Sequence, residues 1–214
     1  MCDTVNLDYL ERQFHLFRGS RTVLEVGSYD VNGTCRGYVD SKGLEYLGVD
    51  IQAGPGVDVV CDMASEPAAV QAALGARTFD LVLCMNVLEH TYEPIRVLDN
   101  MRRLMAPGGH LVVVTPLVWD LHNWPADYYR LNPDFYRRYA STSGLEIVPD
   151  SFVLSVRDTR KFYSDTSVIP ELIPHIYGRS PAGLLITALA VFLRPLRHAW
   201  PHVYSNLTFA AQRG

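Results

Sequence analysis

The chain has 214 residues, 48% of them hydrophobic and 20% charged, with a formal net charge of −4 at pH 7. That length suits one well-buried domain with room for an elaboration, and the mild acidity disfavours nucleic-acid binding, which needs a broad basic footprint. Cys2, Cys35, Cys61 and Cys84 are scattered, with no C-x-x-C pair and no histidine at zinc-ligand spacing, so a reduced, cytoplasmic protein without a metal centre is expected.

The polar opening MCDT leads to the expectation of no secretory signal. Leu7, Leu10, Phe14 and Phe17 then recur at helical spacing and predict a helix over 7–18, within an N-terminal cap of residues 1–20. Strands are predicted at 22–27, 45–50, 57–61, 79–85 and 110–115, with helices at about 34–42, 66–76 and 93–105 between most of them. Near-continuously apolar strands alternating with helices imply an α/β domain whose parallel sheet is covered on both faces. The APGG at 106–109 ends a helix and turns the chain into the next strand.

Beyond Pro116 an aromatic loop (117–131), a helix (133–143), a strand (145–156) and a last strand (203–211) are expected, all within a single domain of residues 1–214. An insertion of about 160–201 precedes that last strand and carries AGLLITALAVFL at 182–193, flanked by Arg194, Arg197 and His198. The apolar run is far shorter than the ~20 residues that span a bilayer. It reads as a helix buried against the sheet or a partner subunit. The alternative is a membrane-surface helix over 182–198 that meets a lipid-linked substrate.

The run TVLEVGS at 22–28, followed by YDVNG at 29–33, is a strand that ends in an acid and a glycine and opens into a polar loop. This is how α/β proteins bring backbone N–H groups to a ligand. A second strand, EYLGVD at 45–50, ends in Asp50 about twenty positions later, where a ribose diol is gripped. The G-x-G-x-x-G of a dinucleotide site is missing, as is the Gly-Lys-Ser/Thr of a P-loop, so a nucleoside ligand without phosphates is favoured.

These segments resemble the class I methyltransferases that use S-adenosylmethionine. The match runs through VLEVG (23–27), LGVD (47–50), DVVCD (58–62), FDLVLCMNVLEH (79–90) and LMAPGGHLVVVTP (104–116), in the family's order, and covers roughly 20–150. Tyr29 stands where the family usually has the second glycine of its first motif. The resemblance implies a doubly wound, mostly parallel seven-stranded sheet with a helical insertion before the last strand. That strand would enter antiparallel between the two that precede it.

The resemblance also assigns roles. Glu25 would accept from the cofactor's methionyl amino group, its rival role being a helix or loop cap. Gly27 would let backbone approach the ligand, with Ser28 and Tyr29 lining its methionine and ribose. Asp50 would hold the ribose hydroxyls and Ile51 would pack on adenine. Asp62 would accept from the adenine amine under Met63, or else cap the next helix. Asn86 would lie near the methionine, with Glu89 and His90 near the reaction centre.

His90 is a candidate general base, although a structural role is about as well supported. The stretch HNWPADYYR at 122–130 supplies a second base, His122, with Asp127 or Arg130 to orient it or to bind the substrate. Trp124 and Tyr128 would stack on the acceptor. Methyl transfer is an in-line displacement in which the protein aligns the acceptor and takes its proton. Histidines at the acceptor end point to O-methylation of a small polar molecule, a sugar or a natural product. N-methylation, a non-catalytic cofactor-binding partner and a nicotinamide oxidoreductase are the competing readings.

Overall fold

A computed structural model describes residues 4–31, 33–119, 121–122, 126–156, 161–163 and 205–214. The chain opens with helix α1 (Thr4–Gln13) and a 3-10 turn at Phe14–Phe17. Strand β1 (Thr22–Val26), helix α2 (Arg36–Ser41), strand β2 (Glu45–Asp50) and strand β3 (Val59–Val60) follow. Next come α3 (Pro67–Ala73), β4 (Phe79–Met85), α4 (Pro94–Leu104) and β5 (Met105–Val118). The last elements are α5 (Pro133–Ser143), β6 (Leu145–Ile147), β7 (Val153–Val156), β8 (Lys161–Tyr163) and β9 (Ser205–Arg213).

The nine strands among the described residues join one sheet in the order β3-β2-β1-β4-β5-β9-β7-β8, with β6 also paired to β9. The first five positions are parallel. Strand β9 enters antiparallel between β5 and the β6/β7 edge, as the resemblance implied.

Alternation along each strand divides the core in two. Leu24, Val26, Val82, Cys84, Leu111 and Val113 face one side, where α3, α4 and α5 bring Val70, Leu98, Met101 and Tyr136. Val23, Leu81, Leu83, Met85, Val112 and Val114 face the other, against Tyr9, Leu10, Phe17 and Val39. Both faces are therefore covered, and this is why the central strands are apolar without a break. Proline opens α3, α4 and α5, where its missing N–H costs nothing.

Four sequence expectations change. The 7–18 helix tightens into the 3-10 turn, which carries Phe17 against the ring of His110 in β5, 5.3 Å between centroids. The 57–61 strand shrinks to Val59–Val60, because this edge segment pairs only with Val49 and Asp50. The 145–156 strand breaks at a turn where Asp150 has φ 58°. Ser151 seals the gap: its hydroxyl donates to the Ala210 carbonyl at 2.9 Å and accepts the Ala210 N–H at 3.2 Å. The insertion, expected to be helical, begins instead with β8 on the edge of β7. Residues 164–204, with the apolar run at 182–193 and its basic flank, lie outside the described residues. Among the described residues no helix is long and apolar enough to cross a membrane.

Candidate active site

The chain winds outward from β1 to β3 and then crosses to β4 on the other side of β1. At such a reversal the loops after the carboxyl ends of neighbouring strands part, leaving a crevice. Gly27 after β1, Asp50 at the end of β2 and Asn86 after β4 all line a cleft of about 370 Å³ there. The loop after β1 is tied down from β2: the N–H groups of Gly27 and Ser28 donate to the Val49 carbonyl at 2.9 and 3.0 Å. The Tyr29 N–H donates to Asp50 Oδ2 at 3.2 Å and the Gln52 N–H to Oδ1 at 3.1 Å. A carboxylate offers about four acceptor sites, so capacity remains for two ligand hydroxyls.

Two glycines make room at this rim. Tyr29, the residue in the family's glycine position, rests on Gly54, where a Cβ would lie 1.9 Å from its ring. Gly27 has φ 81°, and a Cβ there would fall 2.2 Å from Val87 Cγ2. Val87 itself lines the cleft. The demand for glycine thus comes first from a neighbouring side chain of the protein and only then from a ligand. Gly27→Ala is expected to destabilise the fold by roughly 1–3 kcal/mol, the range for a side chain forced into a sparsely populated backbone region. A thermal melt at or above the parent's midpoint would refute this.

Two residues expected at the cleft are elsewhere. Glu25 is 1% exposed and lies on the face of β1 that it shares with Val23. Its two carboxylate oxygens accept the Cys35 N–H at 3.1 and 3.0 Å, and Oε2 also accepts the hydroxyls of Thr34 (3.1 Å) and Tyr46. Cys35 is the N-cap residue of α2, so Glu25 plays the capping part that rivalled the methionine role. Ser28 is fully buried and points away from the cleft, towards Gly48; a Cβ on Gly48 would fall 2.7 Å from Ser28 Oγ. Alternation along β1 turns Glu25 to the face opposite Val26, which lines the cleft.

The far wall follows expectation more closely. Ile51 lines the cleft and is 62% exposed, so its side chain is open to a ligand. Met63 is buried opposite, and Asp62 lines the same wall. Asp62 Oδ1 accepts the Ala64 N–H at 2.8 Å, closing a local turn, while the N-cap of α3 is Glu66. The helix-cap alternative for Asp62 is therefore replaced by a turn. Asn100, missed in the sequence, is buried in α4 and its amide donates to the carbonyls of Met63 (2.9 Å) and Ser65 (2.8 Å), which holds this wall in place. A lone polar residue on the apolar face of α4 was the available signal.

Asn86 adopts the left-handed conformation at φ 53°, tolerated by asparagine. Its N–H donates to the Val114 carbonyl at 2.8 Å. The 3-10 turn Leu88–His90 then begins the end of the cleft where the acceptor is expected. His90 and Tyr128 line the cleft, as does Tyr92, whose ring meets that of Tyr128 at 5.6 Å. Tyr92, next to the Glu-His pair, was also missed. The Tyr128 N–H donates to the Glu89 carbonyl at 2.7 Å, and this binds the post-β5 loop across the end of β4.

His122, Asp127 and Arg130 stand behind His90 and do not line the cleft; Trp124 lies outside the described residues. His90 Nδ1 is 2.5 Å from the Ala126 carbonyl, an acceptor only, so Nδ1 carries the hydrogen. The His90 and His122 rings meet edge to face with centroids 4.8 Å apart. Asp127, its side chain 2% exposed, accepts the His122 N–H at 3.0 Å, and its Oδ2 is 3.2 Å from His122 Nδ1. Arg130 Nη2 donates to the same carboxylate at 2.7 Å. The Arg130 guanidinium holds the Asp127 carboxyl at about 2, well below the usual carboxylate range.

Glu89 behaves oppositely. It is 1% exposed, and burial pushes its carboxyl up to about 7. Burial also lowers His90 below an ordinary histidine. The Glu89 Oε1 to His90 Nε2 separation of 3.7 Å is therefore a contact between two groups that both favour neutrality, and not a salt bridge. Glu89, His90 and His122 bring their ligating atoms within 4.8 Å of one another. The sequence shows no such group, because a helix and a strand separate His90 from His122.

Comparison with known proteins bears on the family and the fold. Residues 3–148 match the methyltransferase domain family. Over 122 residues the chain is 30% identical to the ubiquinone biosynthesis O-methyltransferase of Paraburkholderia xenovorans, a match over 49% of this chain and 47% of that protein. It is 26% identical over 133 residues to the mitochondrial ubiquinone biosynthesis O-methyltransferase of Schizosaccharomyces pombe, covering 54% and 46%. The chain thus matches about half the length of these curated relatives. In fold it is similar to a SAM-dependent methyltransferase from Archaeoglobus fulgidus, at TM-score 0.58 and 17% identity, over 97% of this chain and 92% of the other.

Proposed function

The chain belongs to the class I S-adenosylmethionine-dependent methyltransferase family, and from that premise we propose that it transfers a methyl group from S-adenosylmethionine to an oxygen of a small acceptor. The observation that carries this reading is the convergence of Gly27, Asp50 and Asn86 on one cleft, walled by Ile51 and Met63. Asp50 accepts from the ribose hydroxyls, Ile51 and Met63 enclose the adenine, and Asp62 takes its amine. The backbone at Gly27 and Asn86 carries the methionine, with Tyr29 over the ribose.

The acceptor enters past Tyr92 and Tyr128, whose exposed rings stack on a planar or sugar-like molecule. Its hydroxyl oxygen attacks the methyl carbon as the carbon–sulfur bond breaks, and S-adenosylhomocysteine leaves as the neutral thioether. His122 takes the hydroxyl proton. It suits this better than His90 because its side chain is 31% exposed, against 11% for His90. Two curated relatives are named O-methyltransferases, which supports oxygen as the methylated atom. A sugar or natural-product hydroxyl is the acceptor class we favour.

The test is calorimetric titration with S-adenosylmethionine and, separately, with NAD. Saturable binding of the former alone is expected. Binding of NAD, or of neither, would defeat the cofactor assignment.

A further inference from the structure

We propose that Glu89, His90 and His122 form a binding site for a divalent transition-metal ion at the acceptor end of the cleft. Three independent features point there. First, Glu89 is almost wholly buried, yet neither of its carboxylate oxygens has a hydrogen-bond partner among the described residues. A buried carboxyl left in that state is costly, and a cation would compensate it.

Second, each histidine has its Nδ1 engaged by an oxygen that would fix the ring for ligation. His90 Nδ1 donates to the Ala126 carbonyl, and His122 Nδ1 lies against the Asp127 carboxylate, itself clamped by Arg130. Metal-bound histidines are held in this manner, the second nitrogen bonded to a carbonyl or carboxylate that sets tautomer and orientation. Nε2 is then the nitrogen each ring would offer. His90 Nε2 is buried and has no hydrogen bond among the described residues.

Third, the spacing suits a metal better than a hydrogen bond. Glu89 Oε1 and His90 Nε2 are 3.7 Å apart, too far to bond to each other. Ligands on a tetrahedral ion with bonds of about 2.0–2.1 Å stand roughly 3.3–3.4 Å from one another. The ligating atoms all lie within 4.8 Å of one another, and the His122 ring, whose side chain is 31% exposed, has room to move the remaining distance. One carboxylate and two imidazoles favour zinc, iron(II), cobalt(II) or manganese(II) over magnesium or calcium, which prefer all-oxygen cages.

Three protein ligands leave a position for water or for the acceptor hydroxyl. Only this consequence rests on the methyltransferase reading of the cleft. With a cation seated, the bound hydroxyl would release its proton to solvent and His122 would serve as a ligand; without one, His122 is the base.

The test is titration of chelator-stripped protein with cobalt(II) and zinc(II), read by calorimetry and by the visible spectrum of bound cobalt. One equivalent should bind saturably. Glu89→Gln and His122→Ala should abolish that saturation, and Asp127→Asn should weaken affinity by roughly 10–100-fold. Thermal melts report whether each variant folds, and the exposed His122 site provides a readout even if the buried Glu89→Gln substitution does not fold. No saturable binding, or binding undiminished in folded His122→Ala, would overturn the site. S-adenosylmethionine is titrated into the same samples: cobalt binding without cofactor binding fails the cofactor reading alone, and the reverse fails this proposal alone.

Discussion

His122→Ala is expected to lower turnover by roughly 10²–10⁴-fold, the contribution of a positioned proton acceptor, while S-adenosylmethionine affinity stays at the parent value. The separation of effects follows from geometry. His122 does not line the cleft formed by Gly27, Asp50 and Met63, and it reaches the acceptor end only beside His90. The bidentate Arg130–Asp127 pair does not depend on the imidazole, and the His122 backbone N–H keeps its bond to Asp127 in the variant. The loop is therefore expected to persist. Single-turnover methyl transfer at saturating cofactor is the measurement. A variant with the full rate would move the base role to His90 or remove it.

Asp50→Ala should weaken S-adenosylmethionine binding by roughly 1.5–3 kcal/mol, the value of hydrogen bonds to a charged acceptor, or about 10–150-fold in Kd. Asp50 works twice over. It faces the cleft at the end of β2, and it also accepts the N–H groups of Tyr29 and Gln52, so its loss is expected to loosen the loop after β1 that lines the cleft. Asp50→Asn retains one side-chain acceptor and should lose less. Calorimetry on variants with parental melting curves decides it. Unchanged affinity in folded Asp50→Ala would remove the ribose assignment.

What the sequence determined by itself is the order of elements and the positions of the strand ends. Apolar runs broken by helical periodicity admit a parallel sheet covered on both faces. In such a sheet the carboxyl ends of neighbouring strands must share one edge, so Gly27, Asp50 and Asn86 meet whatever the details of packing. Direction within a strand was not legible. Glu25 and Val26 are adjacent in sequence, yet Val26 lines the cleft and Glu25 turns under it to cap α2, because successive side chains leave opposite faces. The break between β6 and β7 was equally hidden, since it depends on Ser151 finding a partner on β9, far along the chain.

The acceptor end belongs to tertiary structure almost entirely. Glu89 and His90 are legible as a pair, and His122, Asp127 and Arg130 as a cluster. Only the loop laid across the ends of β4 and β5, tied by the Tyr128–Glu89 and His90–Ala126 bonds, brings the two together. That contact joins segments separated by a helix and a strand, and local spacing carries no information about it. Tertiary placement then does what composition could not: burial raises Glu89 and lowers His90, while the Arg130 guanidinium keeps Asp127 ionised. The same residue types thus acquire different chemistry from where the fold puts them.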